Sequence, residues 1–339
     1  MEFDKPIVLP QDISKITSLF CHEEVLESEY LGGVPNVTYK VFTKSKKIAI
    51  RVSNHGYTSP EHLVAEIEVL KHLTKSNFQI SPKLVEGLNG QDLQEWKGYP
   101  VCATEYIPGK PGDKTEITSQ LCFNVGHNVA KMQKALSTFD GNLPSKQTLS
   151  ERGRMMMTHF PQRAKRIGWQ LDFDKIISQW ETANDRFLVN ANNINHQVVH
   201  SDVWPPNIIC DGDELKGIID FDDWCWGPAI IDLCAPLIEF PMYYVNEFNR
   251  EFALNLLKGY FKGGGEISSF ERELLINGLE VGCAMWLACN ALHEVSYQES
   301  ETYVYKLGLL SDSNYRIKFS NMIDELIIIA RENLNHNDY

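Results

Sequence analysis

Apolar and polar positions alternate with a period of two over Lys47–Val52, with Ile48, Ile50 and Val52 on one face and Arg51 on the other. Together with Val37–Phe42 and the Lys/Ser turn between them, this predicts two antiparallel strands preceded by a loop carrying Gly32 and Gly33. From Ser59 the period becomes helical. Ser59 suits a cap, Pro60 the first helical position, and Leu63, Ile67 and Leu70 form the stripe with Val64 at its margin. A further strand is expected over Tyr99–Ile107, and Pro108–Gly109 reads as a hinge dividing residues 1–107 from 108–339. Beyond the hinge the pattern is mostly helical. Residues 117–136 carry Leu121, Val125, Val129 and Met132 at three- and four-residue steps, and Phe252–Tyr260, Glu271–Leu292 and Ile317–Leu334 are further helices. Gly263–Gly265 separates the first two of these three, while residues 151–180 read as polar and irregular around Met155–Met157. Val198–Val199 predicts a short buried strand, and a hairpin is expected from Ile208–Cys210 and Leu215–Phe221 around an Asp-Gly turn at Asp211–Asp213. The pattern is that of an α+β protein with a small antiparallel-sheet lobe followed by a large, mainly helical one.

The hairpin is flanked by the chain's most informative residues. His200-Ser201-Asp202 precedes Asn207 by the spacing of a kinase catalytic loop, and Ile219-Asp220-Phe221-Asp222 follows where such a fold carries its second aspartate. Phosphoryl transfer needs positioning and charge neutralisation more than covalent chemistry. One carboxylate must orient the attacking hydroxyl and take its proton, and hard oxygen ligands must hold Mg²⁺ against the phosphates of ATP. Asp202 fits the base, and Asn207 and Asp220 fit the metal ligands. Pro205-Pro206 keeps helix out of the loop, and His200 suits a loop organiser better than an acid or base.

In the same layout Arg51 stands where a phosphate-contacting cation, usually Lys, is expected, and Arg can also pair bidentately with a carboxylate. Glu66 is the favoured partner on the following helix, with Glu68 as the alternative. Gly33 and Asn36 lie in the loop where backbone amides could approach phosphate. The backbone of Glu105 and Ile107, at the hinge, would meet the adenine edge.

Composition narrows the partners. The 339 residues are 43% hydrophobic and 23% charged, with a net charge of −13, and no basic patch suits nucleic acid. No apolar run is expected to reach the length of a membrane span, and residues 1–10 lack the pattern of a signal peptide. The eight cysteines contain no C-x-x-C pair, and several (Cys102, Cys210, Cys234, Cys283 and Cys289) fall in apolar stretches, as in a reducing cytoplasm. A cytoplasmic monomer or homodimer is expected.

These motifs resemble those of the aminoglycoside phosphotransferase and choline kinase-like superfamily, with the homoserine kinase-like and stress-response kinase-like branches nearest. The resemblance runs from about Leu31 to Phe261 and is strongest at His200–Asn207, Ile219–Asp223 and Gly227–Leu233. It implies a two-lobed protein-kinase-like fold, with Asp202 as base, Asn207 and Asp220 on Mg²⁺, and Asp232 steadying the C-terminal lobe. The family usually has Gly or Asn where Ser201 stands, and a His often seen near Lys131–Gln133 is missing. Asp232 follows Asp220 too soon for a peptide-binding platform. The favoured acceptor is therefore a small hydroxyl-bearing molecule, such as an amino alcohol, an aminoglycoside or homoserine. Asp222, Trp224, Glu239 and Tyr243, with Trp226 and Glu294 as further candidates, would supply acidic and aromatic contacts to it. Two rival readings are a stress-response-type protein Ser/Thr kinase and a nucleotide-binding regulator without catalysis.

Overall fold

The computed structural model describes residues 6–33, 35–54, 59–141, 143, 146–243 and 247–335, so Val34 of the Gly-Gly loop lies outside it. The chain divides into two compact units. The first comprises Met1–Gly109, Asp140–Lys146 and Lys216–Asp222, and the second Lys110–Phe139, Gln147–Leu215 and Asp223–Tyr339.

The first unit opens with helix α1 (Pro10–Thr17), then β1 (Glu27–Gly32), β2 (Val37–Phe42), β3 (Lys47–Val52), α2 (Pro60–Lys75), β4 (Leu93–Trp96) and β5 (Tyr99–Glu105). The strands form one antiparallel sheet in the order β1-β2-β3-β5-β4. The alternation expected for β3 sets its faces. Ile48, Ile50 and Val52 join Val37, Val41, Val101 and Ala103 under Ile13, Ile16 and Phe20, while Arg51 lies on the opposite face across from Cys102. Helix α2 begins as its sequence demands, with Ser59 accepting from the His62 amide and Pro60 at the first position. Val64 does not belong to its stripe and is exposed. The strand expected to reach Ile107 stops at Glu105, and neither α1 nor β1 was anticipated. All of β1 except Gly32 is exposed, so it lacks the one-sided apolar pattern that marks a strand.

The second unit holds β6 (Lys110–Pro111), α3 (Ser119–Leu136), α4 (Leu149–Arg166), α5 (Phe173–Val189), β7 (His196–Val199) and β8 (Ile208–Asp211). The strand β9 (Glu214–Ile218) runs out of this unit into the first. After it come β10 (Cys225–Pro228), α6 (Ile231–Glu239), α7 (Arg250–Lys262), α8 (Ser269–Leu292), α9 (Tyr297–Ser311) and α10 (Ser313–Asn335). The stretch expected to be irregular, 151–180, lies mostly in α4 and α5. A reciprocal capping box between Thr148 and Glu151 starts α4, and Arg152, Met156, Met157, Phe160 and Arg163 face inward. Two buried arginines in that stripe disguised its amphipathic pattern. Helix α6 escaped notice because every one of its residues is buried, which erases the period. By length and apolar character α8 does qualify as a membrane span, contrary to expectation, but 78% of its apolar window is buried in the unit, where it packs on α4, α5, α6 and α9.

The antiparallel pair β7–β10 frames the loop that follows Val199. Behind it Asp232, on the first turn of α6 and fully buried, accepts the amide of His200 at 3.1 Å and that of Ser201 at 2.7 Å. Ser201 takes a left-handed conformation, φ +64°, and its hydroxyl donates to Asp223 O at 2.8 Å. Gly and Asn tolerate that conformation best, which explains their use at this point by the family the loop resembles. Burial pushes the Asp232 carboxyl up to about 7, against the two amides that favour its charge.

Two predictions concern this framework. Gly126 of α3 and Gly259 of α7 sit where an added Cβ would strike the Leu256 and Phe123 carbonyls of the facing helix. Gly126→Ala or Gly259→Ala should cost about 1–3 kcal/mol, read as a lower urea midpoint; an unchanged midpoint would show that the helices can separate freely. For Asp232, an unfolded aspartate ionises near pH ~4, whereas the folded one holds its proton up to about 7. The unfolded chain then binds fewer protons, so this residue's contribution to stability is lost as pH rises between those values. Wild type should lose melting temperature relative to Asp232→Asn across that window; parallel curves would mean that Asp232 stays charged throughout.

Candidate active site

In the second unit the loop held by Asp232 presents Asp202. Its Oδ2 accepts the Asn207 side-chain amide at 2.6 Å, and its Oδ1 accepts the Trp286 indole N–H at 2.8 Å. Asn207 also reaches the Asp202 carbonyl at 3.0 Å, so the five-residue spacing read in the sequence closes into a tight loop. Pro205-Pro206 opens the 3₁₀ turn that delivers Asn207. His200 is fully buried, and its Nδ1 takes the Asp202 amide at 3.2 Å, the part of a loop organiser.

Beside Asp202 opens a small pocket of ≈ 30 Å³. Its polar wall is Asp202, Ser201, Asp223 and Arg152, and its apolar wall comes from Leu149, Met156, Ile231, Val281, Met285 and Trp286. Arg152 and Asp223 form an ion pair. A carboxylate at the rim of a small, half-apolar chamber with one fixed charge pair suits a compact polar molecule presenting a hydroxyl.

The first unit carries a second charged cluster. Arg51 pairs with Glu66 at 2.5 Å on the face opposite the core, while Glu68 turns outward to Lys71. Burial pushes the Glu66 carboxyl up, and the Arg51 guanidinium opposes that shift. The Nε of Arg51 is buried without a hydrogen-bond partner among the described residues. Asn36 donates to Asp222 at 2.9 Å and accepts the Asn54 amide at 2.9 Å, and the Asp222 carbonyl meets His62 Nε2 at 2.9 Å. Gly33 has φ +111°, and a Cβ there would lie 2.7 Å from the Asn36 carbonyl. Strand β9 ends at Ile218, short of the expected Phe221, and Asp220, φ +66°, follows two residues later and belongs to this unit with Asp222. The amides of Glu105 and Tyr106 are committed to Lys83 O and Lys47 O.

The expected acceptor residues are placed elsewhere. Trp224 is fully buried, and Glu239 is buried in an ion pair with Lys306 at 2.8 Å, which neutralises the charge a cationic acceptor would seek. Asp222 is tied to Asn36, Glu294 is exposed and paired with Arg166, and neither Tyr243 nor Trp226 lines the cavity. Residue type suggested all of these, but type does not tell which way a side chain faces. Arg152, Asp223, Met156 and Trp286 line the cavity beside Asp202. Of these, Asp223 stood within the recognised motif and Met156 within the methionine cluster, while Arg152 and Trp286 sit on helices that carry no motif.

Comparison with known proteins agrees with this layout. Residues 28–271, more than two thirds of the chain, match the model of the "Phosphotransferase enzyme family". A homoserine kinase of Zymomonas mobilis subsp. mobilis is 25% identical over 241 residues, covering 67% of this chain and 69% of that protein. Among solved structures, an amicoumacin kinase in complex with AMP-PNP, Ca²⁺ and Ami superposes with a TM-score of 0.71 at 17% identity, covering 89% of this chain and 93% of the other. A microcompartment-associated aminopropanol kinase gives 0.69 at 16% identity, covering 92% and 99%. The sheet-then-helix order is thus the kinase-like fold, and the chain belongs to the phosphotransferase enzyme family as a small-molecule kinase acting on a hydroxyl group.

Proposed function

We propose that the protein transfers the γ-phosphoryl group of ATP, with Mg²⁺, to the hydroxyl of a small amine-bearing acceptor, a hydroxy amino acid or amino alcohol. The observation that carries this is the Asp202 carboxylate, fixed by Asn207 and Trp286 at the wall of the small cavity. Asp202 is placed to orient the acceptor hydroxyl and take its proton as the new O–P bond forms and the bond to ADP breaks. Similarity to a homoserine kinase and to an aminopropanol kinase, each named for a small amine-bearing alcohol, supports the acceptor class. Between Asp220 and Asp232 the chain is taken up by a 3₁₀ turn (Phe221–Asp223), β10 and the start of α6, which leaves no room for a peptide platform.

The residues present fit the nucleotide and the cation. Among the described residues the Nε of Arg51 is buried without partner, and Gly33, φ +111°, takes a backbone conformation that lets the loop pass close to Asn36. An adenine edge would find the Glu105 carbonyl and the Ile107 amide at the end of β5. Asn207 commits its NH₂ to Asp202, which leaves Oδ1 as a hard ligand, and Asp220 is assigned the same task from its motif. Among the described residues no cluster of three or more His, Cys, Asp or Glu could hold a metal ion; in this reading the phosphates of ATP would complete the coordination. A bound cation supplies charge neutralisation on the transferring group.

Incubation with Mg–ATP and a panel including L-homoserine, hydroxylysine, 1-amino-2-propanol and choline should release ADP with at least one amine-bearing alcohol. Label from ATP appearing only on proteins of a lysate would overturn the small-acceptor reading. Asp202→Ala should lower kcat by about 10²–10⁴-fold without unfolding the chain; near-normal turnover would remove it from the base role. Arg51→Ala should raise the KM for ATP roughly 10- to 100-fold, the worth of a charged hydrogen bond, with a smaller effect on the acceptor. An unchanged KM would place Arg51 outside the nucleotide site.

A further inference from the structure

We infer that Arg152 determines the specificity of the pocket beside Asp202, and that the acceptor it selects carries a carboxylate: a hydroxy amino acid rather than a simple amino alcohol. This rests on the proposed transfer to a small amine-bearing alcohol and narrows it. Among the described residues that line the pocket Arg152 is the one cation, and it shares the polar wall with Asp223 and Asp202. Only 5% of Arg152 is exposed, so its guanidinium has given up most of its water. A purely cationic acceptor gains nothing from that charge. A zwitterion gains at both ends, with its carboxylate toward Arg152 and its ammonium toward the aspartates. A planar guanidinium with five N–H groups can meet more than one carboxylate, so the ion pair with Asp223 does not bar a second.

The wall is built to hold such a charge in place. Leu149, Arg152 and Met156 stand at three- and four-residue steps on α4 and share the face that meets the pocket. Next to Arg152, Gly153 lets the Trp180 ring of α5 lie directly against the helix. Asp223 pairs with the guanidinium, and the Asp223 carbonyl accepts the Ser201 hydroxyl at 2.8 Å. Ser201 is the neighbour of Asp202, so the cation and the proposed base are joined by a short chain of contacts. The apolar wall, with Met156, Ile231 and Met285, suits the few methylenes that join the two ends of a hydroxy amino acid. A site built around a charged group on its ligand rejects the analogue lacking that group, because its own buried partner is then left unsatisfied.

Matched acceptors test this on the unaltered protein. With Mg–ATP, each hydroxy amino acid is compared with the amine that remains when its carboxylate is removed: L-homoserine with 3-amino-1-propanol, L-threonine with 1-amino-2-propanol, and L-serine with ethanolamine. In the pair that is turned over best, kcat/KM for the acid should exceed that for the amine by more than about tenfold, the least that a charged hydrogen bond is worth. A smaller preference, or one for the amine, overturns the inference and leaves the small-acceptor reading standing. Absence of ADP release with every member of the panel sinks that reading and the inference with it. Arg152→Met should then lower kcat/KM for the acid at least about tenfold more than for the amine, collapsing the ratio between them. Equal losses on both would make the Arg152–Asp223 pair a scaffold for the loop and overturn the role of Arg152. Arg152→Lys, which keeps the charge but loses the planar fork, should retain part of the ratio. Where Arg152→Met does not fold, Arg152→Lys carries the test, and an undiminished ratio in it counts against a guanidinium that reads the carboxylate.

Discussion

A buried carboxylate with two consecutive backbone amides as its partners organises the centre of the second unit. Asp232 is shut off from solvent, and the amides of His200 and Ser201 satisfy its oxygens. Two adjacent amides can point at one carboxylate only if the backbone between them turns sharply, and the left-handed Ser201 is that turn. The turn sends Asp202 in the opposite direction, toward the cavity, where Asn207 and Trp286 receive it. Strain at one residue is therefore offset by hydrogen bonds at its neighbours, a pattern common where a side chain must be presented rather than packed.

Buried ion pairs play different parts in the two units. Arg51–Glu66 keeps a donor without partner among the described residues, whereas Lys306–Glu239 is enclosed on both sides. Such pairs contribute little to net stability once desolvation is counted, but removing one partner leaves an uncompensated charge at considerable cost. Their value here is geometric: each fixes the position of a group next to the chemistry.

What could be read beforehand divides along the same line. Strands β2 and β3, the cap of α2, and the spacing of Asp202, Asn207 and Asp220 were legible because short-range rules govern them. The choice of Glu66 over Glu68 needed only helical phase to settle once the strand face was known. Helices α4 and α6 were hidden, one by buried arginines in its inner stripe and the other by burial on all sides. The cavity beside Asp202 was not legible, since Arg152, Trp286 and Asp202 meet through helix packing over separations that no local pattern records. Acidic and aromatic residues near the motif were the natural candidates, and Trp224 and Glu239 turned inward instead.

The segment Lys216–Asp222 has a consequence for how the chain is made. It lies in the second half of the sequence yet folds with the first unit, where the Ile218 amide bonds to Ile80 O and Asp222 is held by Asn36 and His62. A ribosome that has released only Met1–Gly109 has completed the five-stranded sheet but not the unit, which still lacks this segment. Completion waits until most of the loop that presents Asp202 has also emerged, so the two halves of the proposed machinery mature in step rather than in turn.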